Sequence, residues 1–142
     1  MARAYAVLCG LLGALMVLLG LQLVATFFRS LGPGTGAVLP FPIGPQGLYF
    51  VAFSGCCLVA WGGCLFAAAR GAGRADPSLA RSVGTATAVG LVLNALYRMA
   101  VWTLGDFAWA GSLPRIEAAI FLVLALAFLW LRPPSVARVG AR

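Results

Sequence analysis

Residues 94–117 read NALYRMAVWTLGDFAWAGSLPRIE and contain the most informative pattern in the chain. An apolar run ends near Leu104, a short turn with Asp106 follows, and a second apolar run begins near Ser112. Helices joined by such a short turn are antiparallel neighbours. Two of the three acidic residues of the protein lie here, and Arg98 lies inside the first apolar run. The stretch therefore predicts a helical hairpin with charged groups in its apolar part.

The composition indicates a lipid bilayer as the environment of the chain. Of the 142 residues, 63% are hydrophobic and 9% are charged, whereas soluble domains are about half apolar and a quarter charged. Each spanning helix needs about 20 apolar residues, so the length allows about four spans and no separate soluble domain. We predict an all-α membrane protein, a four-transmembrane-helix bundle in which residues 1–142 form a single membrane domain.

Four apolar stretches define the predicted spans, at about residues 4–28, 47–69, 83–104 and 112–131. The first is longer than the apolar core of a signal peptide, so we expect a retained helix. Residues 29–46 form a proline-rich outer loop, in which four prolines exclude a regular helix. Residues 132–142 form a basic tail that we expect to be disordered.

Cap residues and small residues suggest how the helices begin and pack. Asp76 before Pro77 is the expected cap of the third helix, and Ser112 that of the fourth, with Pro114 in its first turn. Small residues allow close helix contact in membranes. They occur on predicted faces of the first two helices, at Gly10, Gly13 and Gly20, and at Ser54-Gly55 and Gly62-Gly63.

All ten basic residues are arginines, and their distribution predicts the orientation. Seven lie at the N-terminus, in the second loop or in the tail, whereas Arg29 and Arg115 lie on the opposite side. The positive-inside rule then places both termini in the cytoplasm. The arginines do not cluster on one polar element, so we expect no nucleic-acid partner. The lysine-free, Ala-, Gly- and Arg-rich composition suggests a bacterial multi-pass protein of the inner (plasma) membrane.

The residues offer no metal or redox centre. The four cysteines, Cys9, Cys56, Cys57 and Cys64, all lie in apolar runs, where free cysteine behaves as a small hydrophobe. Histidine is absent, and the carboxylates do not cluster. We therefore predict no metal site and no cofactor.

Arg98 and Glu117 are predicted to meet in the outer third of the membrane. Arg98 lies six residues before the end of the third span, which is about 9 Å of helix rise, and Glu117 lies at a similar depth in the fourth. An unpaired arginine at the bilayer centre costs about 2.5–3.5 kcal/mol, and less near the interface. An ion pair between the two is the expected solution.

Other polar residues fall at the same predicted depth, and together they form a candidate site. Intramembrane ionisable groups are functional-site candidates, so Glu117, Asp106 and Arg98 are the candidate catalytic residues. The candidate ligand-binding residues are Gln22, Tyr49, Ser54, Asn94, Tyr97 and Trp102.

A purely structural interpretation of these residues also stays open. The helix dipole favours an acid such as Glu117 in the first turns of a helix. Gln22 and Asn94 would then serve as interhelical hydrogen-bonding groups, and Trp102 as an interface anchor.

The combination of Arg98 late in the third span, Asp106 in an acidic turn and Glu117 early in the fourth resembles small bacterial four-helix membrane proteins. These are the DoxX-like proteins and related families of unknown function. The resemblance implies a four-helix bundle and leaves the activity open. The long proline-rich first loop departs from many of these proteins.

Two classes of function fit the pattern. The first is a non-catalytic module that binds a lipophilic small molecule or a partner membrane protein through the polar layer. The second is a membrane-embedded isomerase or cyclase acting on an apolar isoprenoid or polyketide, with Glu117 or Asp106 as general acid or base and Arg98 holding an oxyanion. The lipid bilayer is the expected surrounding in both cases, and homo-oligomerisation stays open.

Overall fold

Four α-helices make up most of the computed structural model, which describes residues 1–30, 45–74, 77–104 and 112–133. They are α1 (Ala2–Ser30), α2 (Pro45–Gly71), α3 (Ser78–Leu104) and α4 (Leu113–Leu131). Each is long and apolar enough to cross a bilayer, with mean hydropathy between 1.3 and 2.5 over an 18-residue window. The prediction of a helical chain with four candidate membrane spans is therefore confirmed over the described residues.

The helices extend beyond the apolar spans that were predicted from the sequence. α3 begins at Ser78 rather than at residue 83, and the N–H of Arg81 already donates to the carbonyl of Pro77 at 2.9 Å. α2 begins at Pro45, which was predicted as part of the loop. Proline suits the first helical turn, because its fixed φ is helical and its missing N–H is not needed there. Polar and proline residues thus lengthen the helices past the hydrophobic segments.

The predicted capping role of the Ser112 side chain is wrong. Ser112 stands at the N-cap position of α4 but has φ −87° and ψ −5°, and its side chain makes no capping hydrogen bond. A capping serine normally adopts the β region, which turns its hydroxyl toward the N–H groups of the first turn. Here the Ser112 carbonyl accepts hydrogen bonds from the N–H groups of Arg115 and Ile116 instead. Pro114 lies in the first turn as predicted.

The expected Asp76 cap, the Asp106 turn, most of the proline-rich loop and most of the basic tail lie outside the described residues.

The chain divides into two compact units, one containing Cys9–Ala67 and the other containing Met1–Leu8 and Ala68–Arg142. In the first unit, α1 and α2 are antiparallel and meet through glycines. A Cβ atom added to Gly20 would lie 2.5 Å from the carbonyl oxygen of Gly55, and one added to Gly62 would lie 2.7 Å from that of Gly13. The backbones are therefore in direct contact, as the small residues predicted.

Gly10 and Gly63 do not belong to this contact, contrary to the expectation. A Cβ added to either residue would meet nothing within 4 Å. Gly13 and Gly20 are seven residues apart, or two helical turns, and each meets a glycine of α2.

In the second unit, α3 packs against α4. Small side chains line the buried face of both helices, with Ala88 and Ala95 on α3 and Ala118 and Ala125 on α4, each 2% exposed. Small residues let two helices approach closely where no hydrophobic effect drives them together. This close packing sets the distance across which the polar side chains at one end of the hairpin must meet.

The fully buried Tyr5 ties the start of α1 to α3 and α4 within this unit. Its hydroxyl donates to the carbonyl of Ala80 at 2.5 Å, across 75 residues of sequence. Its ring meets Phe128 edge-on, with centroids 6.0 Å apart. Gly84 leaves the space for the hydroxyl, since a Cβ there would overlap it. A buried phenol that is satisfied in this way fixes three helix ends relative to one another.

Candidate functional site

An ion pair joins two of the three charged candidate residues of the hairpin, Arg98 and Glu117. Nη1 of Arg98 on α3 lies 2.7 Å from Oε2 of Glu117 in the second turn of α4. The predicted pairing is confirmed. The two side chains are 38% and 39% exposed, so the pair is accessible from outside the protein rather than sealed in the helix contact.

The guanidinium of Arg98 has one donor that no described residue satisfies. Its Nε is buried and has no hydrogen-bond partner among the described residues. A buried donor without an acceptor costs about 1–3 kcal/mol, and more for a charged group. The geometry therefore leaves a buried cationic N–H near the ion pair that has no acceptor among the described residues.

A second cation lies one helical turn away, over an aromatic ring. The guanidinium carbon of Arg115 on α4 is 4.6 Å from the ring centre of Trp102 on α3. This distance is within the range of a cation–π interaction, to which arginine and tryptophan are well suited. The pairs 98–117 and 102–115 run in opposite directions along the two helices, which confirms that the hairpin is antiparallel.

We call Arg98, Trp102, Arg115 and Glu117 the α3–α4 cluster. Its two guanidinium groups and one carboxylate leave a formal charge of +1. Sequence reasoning assigned Arg115 to topology alone and missed its part in this cluster. The available signal was its position two residues before Glu117, across the hairpin from a tryptophan four residues after Arg98.

Two further candidate residues on α3 are exposed. Asn94 lies four residues before Arg98, so the spacing places it on the same side of the helix. Its Nδ2 donates to the carbonyl of Gly90 at 3.1 Å. Its second amide hydrogen and its side-chain carbonyl oxygen have no partner among the described residues. Tyr97 is exposed as well. Both side chains are available to a molecule that approaches this part of α3.

The remaining candidates on α1 and α2 belong to the other unit. Gln22 and Ser54 are exposed. Tyr49 is exposed, and its ring stacks on Phe53 with centroids 6.5 Å apart and meets Phe50 edge-on. Whether these residues share a polar layer with the α3–α4 cluster stays a prediction, and Asp106 lies outside the described residues.

Neither the cysteines nor the described groove on α4 contributes a charged or metal-binding group to the site. None of the four cysteines, all of which lie among the described residues, forms a disulfide; Cys9 is buried and the other three are exposed. A shallow apolar groove on α4 is lined by Val123, Leu126, Ala127 and Trp130. It carries no charged group and suits a lipid chain.

The chain matches no protein-family model, no curated protein and no solved structure. Its function therefore has to be inferred from the residues themselves.

Proposed function

We propose that the chain is a bacterial plasma-membrane protein that binds the polar end of a lipophilic molecule at the α3–α4 cluster. Four helices of sufficient length and hydropathy support a multi-pass arrangement. The arginine distribution supports cytoplasmic termini, which would put the α3–α4 cluster in the outer half of the membrane. The resemblance to DoxX-like proteins, which stays a prediction from the sequence, implies a four-helix bundle and leaves the ligand open.

The unsatisfied Nε of Arg98 is the observation that carries this proposal. An oxygen atom of a ligand would complete the hydrogen bonding of the guanidinium once a shift of the Arg98 side chain exposes Nε, which is buried in this structure. The cluster charge of +1 favours an end group that is anionic or strongly hydrogen-bond accepting, such as a carboxylate, a phosphate or a carbonyl. Exposed apolar side chains on the same helices, including Leu93, Leu96 and Ile120, would contact the apolar remainder of the molecule.

The ion pair favours binding over catalysis. An isomerase or cyclase would need a carboxylate that is free to take up and release a proton in a closed apolar pocket. Glu117 is held by Arg98 at 2.7 Å, and 39% of its side chain is exposed. No described feature of the chain favours the enzymatic alternative over the binding module.

Native mass spectrometry combined with lipid extraction tests the proposal on the full chain purified in mild detergent. We expect the wild-type protein to retain an apolar molecule with an acceptor end group at about one per chain. Trp102→Ala and the double variant Arg98→Gln/Glu117→Gln should lose it. Trp61→Ala is the matched control, since it removes an exposed tryptophan of α2 that lies in neither the cluster nor the α4 groove, and it should retain the molecule.

Three other results would overturn the proposal. Equal retention in all variants would place the molecule elsewhere. A second protein chain in fixed ratio would make the cluster a contact for a partner membrane protein. Retention of bulk phospholipid alone, in the same amount for every variant, would mean that the cluster only holds α3 and α4 together and binds no ligand.

A further inference from the structure

Four helix ends meet around Ala80 in the unit that contains Met1–Leu8 and Ala68–Arg142. The hydroxyl of Tyr5, near the start of α1, donates to the Ala80 carbonyl. A Cβ added to Gly71, the last residue of α2, would lie 3.9 Å from the Cβ of Ala80. Phe128, near the end of α4, packs on the Tyr5 ring. Since Ala80 itself lies in the first turn of α3, all four helices contribute one end to this region.

Each of these helix ends carries arginine. We call this set the arginine end, and it consists of Arg3, Arg70, Arg74, Arg81 and Arg132. None of the five has an ion-pair partner among the residues that the structure describes. In the whole sequence, only one of the three acidic residues, Asp76, lies in the connections at this end. The result is a concentrated positive charge, with Arg3, Arg70 and Arg74 exposed.

The backbone beneath the arginines is held by buried neighbours. Arg70 lies between the buried Ala68 and Ala72, and Arg81 follows the buried Ala80. Pro133, directly after Arg132, is buried as well. Because the backbone at these arginines is already fixed, less conformational entropy is lost when several of them bind one ligand.

We propose that the arginine end binds the phosphate headgroups of anionic phospholipids in preference to zwitterionic ones. The planar guanidinium donates two parallel hydrogen bonds to phosphate oxygens, and the chain uses arginine at every basic position. Charge complementarity selects this occupant, since five cations without an acidic partner among the described residues repel one another until anions screen them. Basic pockets between the ends of membrane helices bind such headgroups in general.

Native mass spectrometry of the full chain in micelles with equal amounts of phosphatidylglycerol and phosphatidylcholine tests this proposal. We expect wild-type protein to retain phosphatidylglycerol in excess. Arg81→Gln and Arg132→Gln should each lower that excess by about fivefold. Arg29→Gln is the matched control, because it removes one positive charge from the opposite end of α1, and it should leave the excess unchanged.

A wild-type salt titration provides a second readout that does not depend on variant folding. The preference for phosphatidylglycerol should fall as ionic strength rises, because salt screens exposed charges. Equal retention of the two lipids, a preference that does not respond to salt, or an equal loss in Arg29→Gln would each overturn the proposal. The losses in Arg81→Gln and Arg132→Gln assign the preference to the arginine end, because a phosphate-ended ligand at the α3–α4 cluster involves other residues and would be unaffected by these two substitutions.

Discussion

Nη1 of Arg98 lies 2.7 Å from Oε2 of Glu117, and this contact joins the last turns of α3 to the first turns of α4. More than a third of each side chain is exposed, so solvent or headgroups screen part of the attraction. The pair is therefore a moderate stabiliser. The pairing through Nη1 leaves the Nε of Arg98 buried and without an acceptor among the described residues.

The first prediction concerns the coupling between these two residues. Glu117→Gln leaves Arg98 without its carboxylate and should lower the free energy of unfolding by about 1–2 kcal/mol. Adding Arg98→Gln should recover part of this loss, because no charge then remains unpaired. Denaturation in mixed detergent micelles measures all four members of the double-mutant cycle. Strictly additive effects would contradict the contact.

The second prediction concerns Arg115 and Trp102. Arg115→Gln removes the cation from the indole ring and should cost about 0.5–1 kcal/mol of stability. The same substitution in a Trp102→Leu background should cost much less, since the ring is already absent. Arg115→Lys, which keeps the charge, serves as the control and should retain part of the interaction in the same unfolding assay. A cost that does not depend on the residue at position 102 would rule out the ring contact.

The third prediction compares a glycine that contacts a neighbouring helix with one that has free space beside it. Gly20→Ala places a methyl group 2.5 Å from the Gly55 carbonyl and 2.8 Å from Val59 Cγ2. It should destabilise the protein by about 1–3 kcal/mol, because α1 and α2 must move apart. Gly10→Ala, which meets nothing within 4 Å, is the control on the same helix and should be neutral. Comparable unfolding midpoints for both variants would refute the close contact.

The fourth prediction uses the contact between Tyr5 and Gly84. Gly84→Ala introduces a methyl group that overlaps the Tyr5 hydroxyl and should lower the thermal unfolding temperature. Tyr5→Phe alone loses the hydrogen bond to Ala80, worth about 1 kcal/mol. Tyr5→Phe with Gly84→Ala should cost less than the sum of the two, since the oxygen that clashes is gone.

Gly90→Ala is the control for this series. It lies on the same helix, and an added Cβ meets nothing within 4 Å. Alanine has the higher helix propensity, so this variant should be as stable as the wild type or slightly more so. A Gly84→Ala variant with the same unfolding temperature as Gly90→Ala would show that Tyr5 does not occupy the space beside residue 84.

Hydropathy and turn length were sufficient to predict the helices and the Arg98–Glu117 pair. Long apolar runs are a strong local signal of membrane-spanning helices. A short turn between two helices means that they pack against each other in antiparallel orientation. The Arg115–Trp102 contact was within reach of the same reasoning. It was missed because arginines near span ends were counted only for orientation.

The role of Tyr5 could not have been predicted in this way. Its partners are Ala80, Gly84 and Phe128, and the hydrogen bond spans 75 residues of sequence. No periodicity connects such positions, and a tyrosine in the first turns of a span is typical of an interface anchor. Capping at Ser112 failed for a local reason, since its backbone adopts the helical region and its hydroxyl cannot turn to the first N–H groups.

The glycines of α1 and α2 also restrict how these two helices can move. Gly13 faces Gly62 and Gly20 faces Gly55, with Val17 and Val59 filling the intervals. A slide of one helix along the other by a single turn would drive a valine into a carbonyl oxygen. A glycine of α1 would face a glycine of α2 again only after one helix had moved by seven residues, or about 10 Å, along the other. The glycines therefore favour a single register within Cys9–Ala67, and sliding α1 along α2 would require the two helices to separate first.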